Sequence, residues 1–114
     1  MEAKAPEEQL RRAARNQSVF REVNEKLEGL AENFQAVSDT APFTCECADL
    51  GCIAMIDMNL SEYEALRKDP NRFVVLPGHV YPEFERVVSE NERYVLVAKL
   101  GEGGELAEEL DPRA

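Results

Sequence analysis

The chain has 114 residues and a formal net charge of −10, with 23 acidic against 13 basic side chains. That length fits one small domain, whose modest core gains from a metal staple. The charge disfavours nucleic acid and an anionic membrane surface, which both call for basic residues, and no apolar run approaches the roughly 20 residues of a bilayer span.

Residues 1–5 read as a disordered start, without a hydrophobic signal core, so a cytoplasmic location is expected. Pro6 suits a first helical turn, and Glu7 and Glu8 suit its positive dipole end. An amphipathic helix is expected over 6–38. Ala13, Asn16, Phe20, Val23, Leu27, Leu30, Phe34 and Val37 recur at alternating steps of three and four, a heptad seam with Asn16 as its polar member. A helix of about 30 residues is roughly 45 Å long, and a domain of this size is about 26 Å wide. Overhang is therefore expected, with a protein partner or a homodimer on Phe20, Val23, Leu27, Leu30, Phe34 and Val37. The competing expectation is a helix packed along its own domain.

An α+β domain is expected over 39–100. Ser38–Pro42 reads as a turn-forming linker and 43–52 as a metal knuckle. Ile53–Met58 reads as a strand. Asn59 and Glu62 form a capping box for a helix over Leu60–Asp69, which ends before Pro70. Arg72–Leu76 is a short strand stopped by Pro77 and Gly78. Phe84–Ser89 and Arg93–Leu100 flank Glu90-Asn91-Glu92 as a β-hairpin, so the sheet is mainly antiparallel. Residues 101–114 read as a Gly-rich, acidic and mobile tail, with room for a helical turn over 106–110.

The chemistry concentrates in the cysteines and the single histidine. Cys45, Cys47 and Cys52 stand in C-x-C-x4-C spacing, and His79 follows Pro77-Gly78. Three thiolates and an imidazole complete a tetrahedral structural zinc site, so one zinc per chain is expected. Gly51 lets the chain curl around an ion, and a Pro-Gly turn presents the imidazole rigidly. The spacing is weaker evidence than paired C-x2-C, and Glu46, Asp49 or Asp57 are alternative oxygen ligands. The same Cys and His set is also compatible with a [2Fe–2S] cluster, although clusters usually take four thiolates. The bland alternative is three half-buried thiols and a surface histidine. No His-Glu-x-x-His string is present, and a catalytic zinc needs an open coordination position. A Cys52–His79 nucleophile pair is formally possible.

Glu83 and Glu85 are expected to face solvent, and Tyr63 and Tyr94 to be core or edge aromatics with wet hydroxyls. Arg11, Arg12 and Arg15 are expected to form ion pairs. The leading functional expectation is a non-enzymatic, zinc-stabilised interaction or regulatory module acting through its N-terminal helix. The alternatives are a thiol-based redox or metal-responsive regulator, and a small enzyme or [2Fe–2S] protein.

The run Arg15–Lys26, Phe43-x-Cys-Glu-Cys47, Ser61-Glu-Tyr-Glu64, Arg72-Phe73, Pro77-Gly-His79 and Asp111-Pro-Arg113 resembles a family of small uncharacterised actinobacterial proteins. The resemblance spans about Arg15 to Arg113. It implies metal roles for Cys45, Cys47, Cys52 and His79, and it implies no activity. Ala48 and Val80 depart from it, standing where the family pattern has Gly and Glu, and neither is a proposed ligand.

Overall fold

The structure, a computed structural model, describes residues 7–32 and 40–113. Among them the elements run α1 (Glu7–Glu32), β1 (Ala41–Thr44), β2 (Met55–Met58), α2 (Leu60–Leu66), β3 (Arg72–Val75), β4 (Glu85–Glu90), β5 (Val95–Lys99) and α3 (Gly101–Glu109). The fold is α+β, with one antiparallel sheet of β1 and β2 and another in the order β3-β5-β4. Among the described residues no helix is long and apolar enough to cross a membrane. Phe34 and Val37 of the expected seam, and the helix beyond Glu32, lie outside the described residues.

Local chemistry explains most boundaries. Asn59 Oδ1 accepts from the Glu62 amide at 2.8 Å and Glu62 Oε1 accepts from the Asn59 amide at 2.9 Å, the reciprocal box that starts α2. Asn91 Oδ1 accepts from the Arg93 and Tyr94 amides at 2.8 and 2.9 Å, which fixes the β4–β5 turn. Strand β2 alternates exposed and buried, so Ile56 and Met58 point inward beside Phe43 of β1. Phe43 stacks on Tyr63 of α2 with centroids 4.6 Å apart, which joins the small sheet to α2. Both rings are fully buried, and each burial contributes roughly 2 kcal/mol or more.

Two segments depart from expectation. Residues 41–44, read as linker and knuckle, form β1, because Phe43 needs the core and pairs across to Ile56. Residues 101–109, read as a mobile tail, form α3 packed on α1 and β5. Leu106 and Ala107 are buried there. The glycines serve close approach: a Cβ on Gly103 would sit 3.2 Å from the Leu10 carbonyl oxygen of α1.

Helix α1 turns a polar face inward. Gln17, Arg21, Asn24 and Glu28 are buried at steps of four, three and four. Of the apolar seam, Val23 and Leu30 are 42% and 59% exposed, Phe20 is half-buried, and Leu27 packs against the core.

Candidate metal centre

Two tight turns build the site. Between Cys47 and Cys52, the Cys52 amide donates to the Asp49 carbonyl at 3.0 Å and the Gly51 amide to Asp49 Oδ1 at 2.8 Å. The aspartate thus folds its own turn, which returns Cys52 toward Cys47. The base of the knuckle is closed by the Cys45 amide on the Ala54 carbonyl at 3.0 Å. The second turn is Leu76-Pro77-Gly78-His79. The His79 amide donates to the Leu76 carbonyl at 2.9 Å, and Gly78 has φ +88°. These are the marks of a type II turn, which favours Pro and then Gly at its two central positions.

The turns bring the ligand atoms of Cys45, Cys47, Cys52 and His79 within 4.8 Å of one another. His79 Nδ1 stands 3.6 Å from both Cys45 Sγ and Cys52 Sγ. A zinc ion with Zn–S of about 2.3 Å and Zn–N of about 2.0 Å has a tetrahedral S···N edge of about 3.5 Å. The four side chains can therefore hold one metal ion. The Leu76 amide also points at Cys45 Sγ, 3.3 Å away, a donor suited to a thiolate. Burial pushes the Cys45 and Cys47 thiols up, so without a cation they stay protonated, and metal binding must release protons.

The oxygen alternatives do not join the cluster. Asp49 caps its own turn. The Asp57 carbonyl accepts from Arg93, and its side chain is outside the cluster of ligand atoms. Glu46, between two ligands in sequence, is fully buried. It takes Arg21 Nε at 2.7 Å and Arg21 Nη2 at 2.9 Å on its two oxygens. It also accepts from Asn24 Nδ2 at 2.9 Å and the Val74 amide at 3.0 Å. Around it, Gln17 Nε2 donates to the Glu46 carbonyl at 3.0 Å and Asn24 binds Thr44 through both its amide atoms. Asn16 Nδ2 reaches the Ala48 carbonyl at 2.8 Å. Arg21 also donates to the Arg72 carbonyl and stacks 4.2 Å from the Phe73 centroid. The knuckle is thus the floor on which α1 sits.

No local sequence pattern links Gln17, Arg21 and Asn24 to the knuckle. The available signal was the polar stripe Gln17, Arg21, Asn24, Glu28, which has helical period as clearly as the apolar seam does. Glu85, expected to face solvent, is 2% exposed. It accepts from Gln17 Nε2 at 2.9 Å and the Tyr81 amide at 3.0 Å, with Lys99 Nζ 3.7 Å away. The hydroxyls of Tyr63 and Tyr94, expected to be wet, donate to Glu25 at 2.6 Å and Glu62 at 2.8 Å. Arg12 makes the expected surface pair with Glu8 at 3.3 Å.

Comparison with protein families, curated proteins and solved structures finds no match for this chain.

Proposed function

We propose that the protein is a non-enzymatic interaction or regulatory module, stabilised by one structural zinc ion and presenting α1 to a protein partner. One observation carries the reading: four ligand atoms from two separated stretches converge within 4.8 Å of one another, and His79 Nδ1 stands 3.6 Å from two of the sulfurs, close to the S···N edge of a zinc tetrahedron. Zinc is favoured over an iron–sulfur cluster because a single ion needs only this ligand set, whereas clusters usually take four thiolates. Four protein ligands close the coordination sphere and leave no position for a reacting water. The nearest carboxylates are occupied, Glu46 by Arg21 and Asp49 by its own turn, which argues against a general base at the metal. Three thiols available to a metal suit a reducing compartment such as the cytoplasm. The partner surface is the outward edge of α1, where Val19, Val23 and Leu30 stand 50%, 42% and 59% exposed.

The test is metal content by elemental analysis on protein purified without chelator, run beside light scattering. About one zinc per chain is expected, and its removal should lower Tm by at least about 10 °C, since structural zinc is folding free energy. A chain free of metal, or a melt indifferent to chelation, would overturn the zinc reading.

A further inference from the structure

The four ligands are unequally protected. Cys45 and Cys47 are 0% and 1% exposed, whereas Cys52 and His79 are half-buried. Cys52 lies between Leu50, 56% exposed, and Ile53, 91% exposed, on the outermost part of the knuckle. Cys45 Sγ is further shielded by the Leu76 amide. A small oxidant therefore meets one sulfur first. Cys47, on the same short turn, offers a second sulfur within 4.8 Å. That turn also carries the Ala48 carbonyl that holds Asn16, and it adjoins Glu46, which holds Arg21 and Asn24.

We propose that Cys52 is an oxidative modification site for hydroperoxides, and that its oxidation closes a Cys47–Cys52 disulfide, releases the zinc and loosens α1. This rests on the zinc reading above. In the first step the Cys52 thiolate attacks one peroxide oxygen. An S–O bond forms, the O–O bond breaks, and the departing hydroxide takes a proton to become water. Sulfur gives up two electrons and becomes a sulfenic acid. In the second step the Cys47 thiolate attacks Cys52 Sγ. The S–S bond forms, the S–O bond breaks, and hydroxide leaves and is protonated to a second water. Two thiolates, one hydrogen peroxide and two protons become one disulfide and two waters. The ion then keeps only Cys45 and His79, too few ligands to retain it. The new bond tightens the 47–52 turn and displaces the Ala48 and Glu46 acceptors, so α1 loses its polar anchors.

The experiment treats the zinc-loaded full chain with hydrogen peroxide. It follows zinc with a chromogenic chelator, disulfides by peptide mapping, and α1 by amide hydrogen exchange. Two thiols lost per zinc released, a first disulfide joining Cys47 to Cys52, and at least about tenfold faster exchange over residues 16–24 are expected. A first disulfide that contains Cys45, or zinc retained with three intact thiols, would overturn the proposal. Zinc release without faster exchange in α1 would overturn its link to the helix. A chain purified without zinc would sink both this proposal and the zinc reading, whereas one zinc per chain that resists peroxide sinks only this one. Cys52→His keeps a ligand but removes the exposed sulfur, so it should still bind zinc and lose it at least about tenfold more slowly in peroxide. A zinc-loaded variant releasing its ion at the wild-type rate would also overturn the proposal, and if the variant does not fold, wild-type mapping decides.

Discussion

Glu46 connects parts of the chain that no local pattern relates. Its carboxylate gathers Arg21 and Asn24 of α1 and the Val74 amide of β3, while its neighbours Cys45 and Cys47 belong to the candidate metal cluster. The chain leaves β1 at Thr44, and beyond it the Glu46 side chain turns to α1 while the Cys45 and Cys47 sulfurs turn to the candidate metal cluster. The Arg21–Glu46 pair is almost wholly buried, with side chains 3% and 0% exposed. Removing one partner of such a pair leaves a buried, uncompensated charge, which typically costs about 3–5 kcal/mol. Glu46→Gln should therefore lower stability by about 3 kcal/mol in urea denaturation, with zinc content unchanged. An equally stable variant would show that the pair is dispensable. Cys45→Ser acts differently: it removes a ligand, so zinc content and Tm should fall together and added zinc should not restore them. The cluster of Cys45, Cys47, Cys52 and His79 that could hold a metal was legible in the sequence, because every cysteine and the only histidine fit one coordination set. Glu46 was not, because an acidic residue between cysteines also reads as a substitute ligand. Only the arrival of Arg21, 25 residues away in sequence, shows where its charge is used.

At the level of elements, the sequence was most informative where local chemistry decides. The Asn59 box and the Pro77-Gly78 turn act within a few residues, so α2 starts where expected, and β3 and the β4–β5 hairpin lie within the expected spans to a residue or two, whereas α2 ends at Leu66, three residues before the expected Asp69. It was least informative where tertiary contact decides. Helix α1 has two stripes of the same period, and the fold buries the polar one, because the knuckle and β3 present carbonyls and a carboxylate that need donors. The apolar stripe is left partly outside. Val23→Glu should consequently change stability by no more than about 0.5 kcal/mol, as a surface substitution does. It should also abolish any dimer seen by light scattering if that stripe is the contact. Loss of several kcal/mol would instead place Val23 in the core. Helix α3 illustrates the opposite error. Gly103 and Gly104 suggested a loose tail, yet they let α3 approach α1 and β5. Leu106, 5% exposed, is its main apolar anchor. Leu106→Ala should destabilise the whole domain by about 2–4 kcal/mol in the same denaturation assay. A free tail would show no change.

Across the whole molecule, the Cys3His cluster brings the knuckle to the 76–79 turn, and a second tie joins the end of the described chain to its helices. Arg113 reaches Glu25 at 2.5 Å, Glu28 at 2.8 Å and Glu64 at 2.5 Å, while Arg67 bridges Glu25 at 3.1 Å and Asp111 at 2.5 Å. One guanidinium cannot balance three carboxylates. Burial, then the facing Glu64, pushes Glu28 up to about 8, so it is the protonated member at neutral pH although its oxygen accepts from Arg113. Burial alone would raise Glu25, but bonds from Arg113, Tyr63 and Arg67 outweigh it and hold the carboxyl at about 2. Arg113 likewise holds Glu64 at about 2. Both groups titrate near 4.5 when free of these partners. A depressed carboxyl stabilises the fold fully above its unfolded value, and the gain disappears as pH falls through the folded one. Arg113→Met leaves the carboxylates of Glu25 and Glu64 facing each other across protonated Glu28 with no cation from Arg113 between them. It should cost about 1–2 kcal/mol at pH 7, a figure discounted because the guanidinium is 35% exposed. The gap between wild type and variant should then narrow as pH drops below about 4.5, where protonation relieves the repulsion in the variant and weakens the Arg113 bonds in wild type. Denaturation of both proteins in excess zinc, from pH 7 to 4, measures that gap, and the pH dependence of metal binding cancels in the difference. A gap that stays constant, or widens in acid, would show that Arg113 is held by packing of its stem and not by the carboxylates around it.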